Sequence, residues 1–262
     1  MPDADPAADM ALLHDAALAA GRIAMRHRRD GVTARDKGDG QGPVTAADLE
    51  VDATLRDRLT AARPGYGWLS EESLDDADRL GREYVFVVDP IDGTRAFVAG
   101  QPDFTHALAV VRNGRPVAAA IHQPARGRTW LAAEGRGATL DGVPIAPSDC
   151  NRLQGARVLA AKANLNPVHW RDGVPPPVER TFRSSLAYRL ALVAQGRFDA
   201  MVTLRPCWEW DIAAGALICT EAGAAVTDRN GAALRFNGPG RQVDGVLAGT
   251  PAVHAALLAG LQ

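Results

Sequence analysis

Apolar residues at Leu13, Ala17, Ala20, Ile23 and Ala24 recur at helical spacing, which predicts an amphipathic helix from Met10 to about Arg28, closed by Asp30-Gly31. The acidic, alanine-rich Met1 to Asp9 is expected to be frayed. Thr45-Ala46-Ala47-Asp48 has the form of a capping box with Asp in place of Glu, so a second helix opens there and runs to about Ala62, where Arg63-Pro64-Gly65 breaks it. Short apolar runs then predict strands at Tyr66–Leu69, Tyr84–Val88, Phe104–Arg112, Pro116–His122 and Arg128–Ala133. Asn113-Gly114 is a hairpin turn signal, and Asp141-Gly142 continues the antiparallel pattern. His106 and His122 fall on these strands and are expected to be structural.

The pattern weakens from Cys150 to Pro177, where a strand at Arg157–Ala161 and a loop at Val174–Pro177 are the only features. Periodicity returns as a helix from Leu186 to Gln195 stopped by Gly196, a strand from Phe198 to Thr203, and a helix from Trp210 to Ala222 ended by Gly223. A strand at Gly245–Gly249 and a helix at Pro251–Leu261 complete the chain. These elements predict a layered α/β (α+β) fold whose antiparallel component counts against a purely doubly wound sheet. No internal repeat and no linker composition is present, so residues 1–262 are expected to form one domain, with two closely packed lobes meeting near residue 150.

The chemistry concentrates at Asp89-Pro90-Ile91-Asp92-Gly93-Thr94, where the apolar run Tyr84–Val88 stops in two carboxylates. Asp89 is placed at a strand end, and Pro90 restricts the direction in which it leaves the sheet. Thr94 reads as the N-cap of a short helix through Val98, whose first N–H groups suit a phosphate. Adjacent carboxylates that would repel each other suit divalent cations. Asp211, in the first turn of a later helix, and Glu71 in Ser70-Glu71-Glu72-Ser73 supply more acid, whereas Glu72 reads as a solvated carboxylate. Asp48 is either a helix cap or a site residue, and Lys37 either contacts the site or is one more lysine of the glycine-rich loop Lys37–Pro43. That loop is expected to move over the site. Trp208 and Trp210 are expected to pack rather than stack a substrate.

Composition narrows the class. Of 262 residues, 47% are hydrophobic and 23% charged, enough for a large core. The net charge of -2 with interspersed signs argues against a nucleic-acid polymer as partner, and the basic run Arg22, Arg26, His27, Arg28 and Arg29 reads as a solvated helix end. Three cysteines without zinc spacing argue against a disulfide framework. With neither a signal-peptide pattern nor a membrane-length apolar run, a cytoplasmic chain without a transmembrane segment is expected.

Ser70-Glu71-Glu72-Ser73, Asp89-Pro90-Ile91-Asp92-Gly93-Thr94 and Trp210-Asp211-Ile212-Ala213-Ala214-Gly215 occur in the order and approximate separations of the inositol monophosphatase superfamily, which the chain resembles from Lys37 to its last helix. The resemblance implies an αβαβα sandwich and a lithium-sensitive, Mg²⁺-dependent phosphatase acting on a small phosphate ester. It places Glu71, Asp89 and the carbonyl of Ile91 on one Mg²⁺, and Asp89, Asp92 and Asp211 on a second, with Asp48 orienting the water shell of a weaker third. It also places the attacking water beside Glu71 and Thr94, and the phosphate on the N–H groups of Gly93 and Thr94. A homodimer is compatible with it.

Details around these motifs bear on the substrate. Lys37, Asp39, Pro43–Asp48, Leu69–Glu72, Gly93–Phe97 and Asp103-Phe104-Thr105 resemble the CysQ-type 3′(2′),5′-bisphosphate nucleotidases. Leu204 stands where inositol phosphatases carry a hydroxyl-binding glutamate, and is expected to line an apolar part of the leaving-group pocket. Gly196–Ala200 and Leu140–Ile145 look more like the inositol phosphatase branch. The favoured reaction is hydrolysis of 3′-phosphoadenosine 5′-phosphate to AMP, with inositol 1-phosphate as alternative substrate and a non-catalytic phosphate-ligand binding protein as the alternative class.

Overall fold

The computed structural model describes residues 5–38 and 42–262. Its helices are α1 (Pro6–Asp30), α2 (Ala46–Ala62), α3 (Thr94–Val98), α4 (Leu186–Ala194), α5 (Glu209–Ala222) and α6 (Pro251–Gly260). A first sheet takes β3 (Gly67–Ser70), β4 (Tyr84–Asp92), β5 (Thr105–Arg112), β6 (Arg115–Gln123), β7 (Arg128–Ala133), β8 (Ala138–Leu140) and β9 (Val143–Pro144) in that order. A second, in spatial order, is built of β11 (Glu179–Thr181), β10 (Arg157–Ala160), β12 (Ala200–Thr203), β16 (Val246–Gly249) and β14 (Ala225–Thr227). Two small ribbons remain: β1 (Ala34–Asp36) with β2 (Pro43–Thr45), and β13 (Cys207–Trp208) with β15 (Gln242–Val243).

Alternation along β4 sets the layers. Phe86 and Val88 face α1 and α2, packing with Leu13, Ala17, Val51 and Leu55. Val85 and Val87 point the other way, into a core shared with Leu190 of α4 and Ile212 of α5. The reverse face of that helix pair meets Leu159, Met201 and Ala248 of the second sheet, whose far side buries Val158, Val202 and Leu247 against Val253 and Leu257 of α6. Helix, sheet, helix, sheet, helix is the layered αβαβα arrangement expected.

Several boundaries differ from the sequence reading, each for a local reason. Helix α1 begins within the stretch expected to fray, because Asp5 accepts the Ala7 N–H at 3.0 Å and Pro6 occupies the first turn. Its basic end is exposed at Arg22, Arg26 and Arg29, as expected of a solvated helix end, and also makes surface contacts: Arg26 and His27 pair with Glu50, and Arg28 donates to the carbonyls of Gly100 and Gln101. Pro43, read as loop, pairs with Asp36, while Asp39, Gly40 and Gln41 of that loop lie outside the described residues. The stretch from Cys150 to Pro177 holds three short 3-10 segments that carried no sequence signal.

The difference that matters most lies in β4, which continues through Asp92 instead of ending at Asp89. Asp89 pairs with Ala107 and Asp92 with Thr105, so Pro90 and Ile91 together oppose the single residue His106. This is a β-bulge, an arrangement in which a central-strand proline loses no ladder bond. Residues three apart in a regular strand point to opposite faces; the extra residue corrects the parity and turns both carboxylates to one side. Buried His106 steadies the bulge by pairing its Nδ1 with the Pro90 carbonyl, and burial holds its pKa down, to about 3.

Candidate active site

Three segments bring four carboxylates to one cleft of about 590 Å³. Asp89 and Asp92 come from the bulge, Asp211 from the first turn of α5, and Glu71 from the residue after β3, where its N–H donates to the Val88 carbonyl at 3.3 Å. Oxygens of Asp89, Asp92 and Asp211 all lie within 4.8 Å of one another. Glu71 lines the same cleft outside that cluster.

Two of the three carboxylates are buried, Asp211 is half-buried, and all three repel one another. Asp89 is 1% exposed, and among the described residues its Oδ1 has no hydrogen-bond partner. Burial, then the charges of Glu71, Asp92 and Asp211, push its pKa well above the carboxylate range. Asp211 is pushed the same way by burial, then by Asp92 and Glu71. Asp92 rises to about 6 through burial, although the Ser185 hydroxyl and Ala187 N–H, each donating to it at 2.6 Å, oppose the rise. A buried oxygen with no donor, beside two more carboxylates, is a poor arrangement for protons and water alone. Hard oxygen ligands at this spacing fit a divalent cation.

Asp48 and Thr94 border the cluster. Asp48 closes the capping box by accepting from the N–H and hydroxyl of Thr45, at 2.8 and 2.5 Å. Its other oxygen faces the Thr94 hydroxyl at 3.3 Å, so the helix cap is also a neighbour of the site. Burial, the largest influence on Asp48, raises its pKa. Thr94 is not the N-cap expected of it. Gly93 takes that position at φ 95, and Thr94 instead directs its hydroxyl to the Ile91 carbonyl at 3.0 Å. Only glycine is comfortable there, since a Cβ would also stand 3.0 Å from the Asp103 carbonyl.

Two further expectations are corrected. Glu72 is not solvated: Lys37 bridges it and Glu71 at 2.6 and 2.8 Å, and burial pushes the Glu72 carboxyl up to about 7. Leu204 is not in the cleft; it is 3% exposed in the core beneath α6, with Val202 and Leu247. Its neighbour Arg205 lines the cleft instead, with Trp208, Phe182 and Ser184. Trp208 does stack on Trp210, at 4.9 Å and 7°, yet it also forms part of that wall. Ser185, Arg205 and Phe182 carried no signal in the sequence, since each reaches the site only through tertiary packing.

An αβαβα sandwich with an acidic cluster at a strand bulge defines a class of metal-dependent phosphatases. The chain belongs to the inositol monophosphatase family, whose model matches residues 6–262, and is therefore a phosphoric monoester hydrolase. It is 34% identical over 258 residues to the inositol-1-monophosphatase of Mycobacterium leprae, covering 88% of this chain and 82% of that one. It is 32% identical over 235 residues to the Nus factor SuhB of Pseudomonas aeruginosa, covering 82% and 83%. Among solved structures, the extragenic suppressor protein suhB from Bartonella henselae superposes with a TM-score of 0.81 at 28% identity, covering 96% of this chain and 97% of that one. No helix among the described residues is long and apolar enough to cross a membrane.

Proposed function

We propose that this phosphatase uses Mg²⁺ to hydrolyse a nucleoside 3′,5′-bisphosphate, with 3′-phosphoadenosine 5′-phosphate giving AMP and phosphate. The observation that carries the substrate is the pair of aromatic side chains, Phe182 and Trp208, in the wall of the cleft. Arg189 lies over one face of the Phe182 ring at 4.5 Å, and the residue is still 47% exposed, which leaves aromatic surface for a second flat group to cover. A purine offers such a face, whereas a polyol calls for hydrogen-bonding groups. The resemblance of Pro43–Asp48 and Leu69–Glu72 to CysQ-type nucleotidases supports the same reading. Inositol 1-phosphate is the second reading, favoured by relatives named inositol-1-monophosphatase in Mycobacterium leprae and Bacillus subtilis.

Asp89, Asp92 and Asp211 would hold one Mg²⁺, and Glu71, Asp89 and the Ile91 carbonyl another. When bound, the ions supply positive charge and Lewis acidity to the phosphate. The protein's own groups do the remaining work. The Thr94 hydroxyl and Glu71 hold the attacking water, and Asp48, as the carboxylate 3.3 Å from the Thr94 hydroxyl, takes up its proton through Thr94, burial having raised its affinity for that proton. The bond from water oxygen to phosphorus forms as the ester bond breaks, and the leaving oxygen takes a proton from solvent. Gly93 and Thr94 present N–H groups to the phosphate. A cytoplasmic location and a homodimer belong to the same proposal.

The test is phosphate release in parallel from 3′-phosphoadenosine 5′-phosphate and inositol 1-phosphate, with Mg²⁺ and with EDTA. A higher kcat/KM on the nucleotide is expected, abolished by EDTA. A higher value on inositol 1-phosphate overturns the nucleotide reading, and release unaffected by EDTA overturns the metal assignment.

A further inference from the structure

Of the two cations that line the cleft, Arg95 and Arg205, the second has no evident use in the fold. It follows β12 on an exposed turn and lines the cleft beside Trp208 and Asp211. Among the described residues it enters no ion pair, and its side-chain hydrogen bond goes only to the adjacent Pro206 carbonyl, at 3.0 Å. Neighbouring cations are committed. Arg183 lies 3.4 Å from Asp103, and Lys37 bridges Glu71 and Glu72. Arg189 is buried, donates to the Arg183 and Ser184 carbonyls and covers the Phe182 ring at 4.5 Å. Arg95 follows Thr94 in the chain and rests its guanidinium against Gly42, whose added Cβ would stand 3.4 Å from it.

The charge balance points the same way. Two divalent cations would match the four carboxylates Glu71, Asp89, Asp92 and Asp211, leaving the guanidinium groups of Arg95 and Arg205 without a counter-charge in the lining. The field of Arg205 reaches the cluster, since it counts among the influences that lower the Asp211 pKa. A planar fork of donors in a cleft wall recognises an anion with two oxygens to offer.

We propose that Arg205 is the specificity-determining residue for a second anionic group, phosphate or carboxylate, on the leaving-group side of the phosphate ester. This rests on the cleft being the phosphatase site, but not on whether the leaving group is a nucleoside or a polyol. The alternative is that Arg205 merely braces the turn before β13.

Two matched pairs of esters separate these possibilities: 3′-phosphoadenosine 5′-phosphate against adenosine 3′-phosphate, and inositol 1,4-bisphosphate against inositol 1-phosphate. Steady-state kinetics are measured for the wild type, Arg205→Ala and Arg205→Lys. In the scaffold that the wild type turns over, Arg205→Ala should lower kcat/KM by roughly 30-fold more for the doubly charged ester than for the singly charged one, mainly through KM. Arg205→Lys should fall between, keeping charge but losing the fork. An equal fall on both members of a pair, or a fall in kcat with a lower melting temperature, overturns the assignment. Discrimination seen only in the inositol pair removes the nucleotide reading and leaves Arg205 in its role. Release from none of the four esters removes the phosphatase reading of the cleft and the Arg205 assignment with it.

Discussion

Ser185 donates its hydroxyl to Asp92 at 2.6 Å across 93 residues of chain, tying the first turn of α4 to the bulge of β4. The same oxygen accepts the Tyr188 N–H at 2.9 Å as the cap of α4, so one hydroxyl orders a helix start and aims a carboxylate. Ser185→Ala is expected to cost about 1 kcal/mol through the lost cap and to weaken Mg²⁺ binding by roughly tenfold as Asp92 loses its orientation. Calorimetric titration with Mg²⁺ and urea unfolding read the two effects separately. Unchanged affinity would show that the Ala187 N–H alone holds Asp92.

Legibility in the sequence followed the range of the interactions. The capping box at Thr45–Asp48, the Asn113-Gly114 hairpin and the Gly223 helix stop are local patterns, and the structure forms all of them. Asp89, Asp92 and Asp211 were recognisable as acids at element ends. The bulge that turns the first two to one side was not, because it depends on pairing with β5; Pro90 inside an apolar run was its only trace. Leu204 and Arg205 show the limit most clearly. A one-residue difference in which side chain faces the cleft is set by how β12 enters the β13 ribbon, and no local pattern of the chain encodes it.

Asp89→Asn and Asp92→Asn should each nearly abolish turnover while leaving the protein folded, since the amide keeps the shape and removes the charge that a divalent cation requires. A fall in kcat of about a thousandfold or more is expected, with weaker Mg²⁺ binding. Circular dichroism confirms the fold. Near-normal rates at saturating Mg²⁺ in both variants would remove the metal cluster from the mechanism.

The pH dependence of the same pair of proteins carries a sign. The folded-state pKa of Asp92 is about 6, above its ordinary value, so ionisation destabilises the folded, metal-free protein as pH rises from about 4 through 6. Asp92→Asn removes that penalty. Without metal, the variant should melt above the wild type at pH 8, and the gap should close as pH falls toward 4. With saturating Mg²⁺ the order should reverse, because only the wild type gains the full binding energy. Scanning calorimetry at both pH values, with and without Mg²⁺, checks this, and a gap that widens on acidification would contradict the burial cause assigned to the shift.

Gly215 lies one turn beyond Asp211 on α5, where the helix crosses α4. A Cβ there would stand 2.5 Å from both the Cβ and the Cδ1 of Leu190, which no rotamer change in Leu190 relieves because its own Cβ is involved. Gly215→Ala therefore has to push the two helices apart, although alanine is otherwise the better helix former. Overpacking of this kind costs about 1–3 kcal/mol. The displacement falls on the two helices that carry the site: α4 begins at the Ser185–Asp92 bond, and α5 presents Asp211. Loss of stability should be accompanied by weaker Mg²⁺ binding and a lower kcat, whereas an overpacked residue in α6, which packs on the far face of the second sheet, should cost stability alone. Urea midpoints and Mg²⁺ titrations of Gly215→Ala test the coupling. A variant as stable as the wild type would show that the helix pair yields without cost, and a destabilised variant with unchanged Mg²⁺ affinity would show that the carboxylate cluster is fixed by the bulge alone.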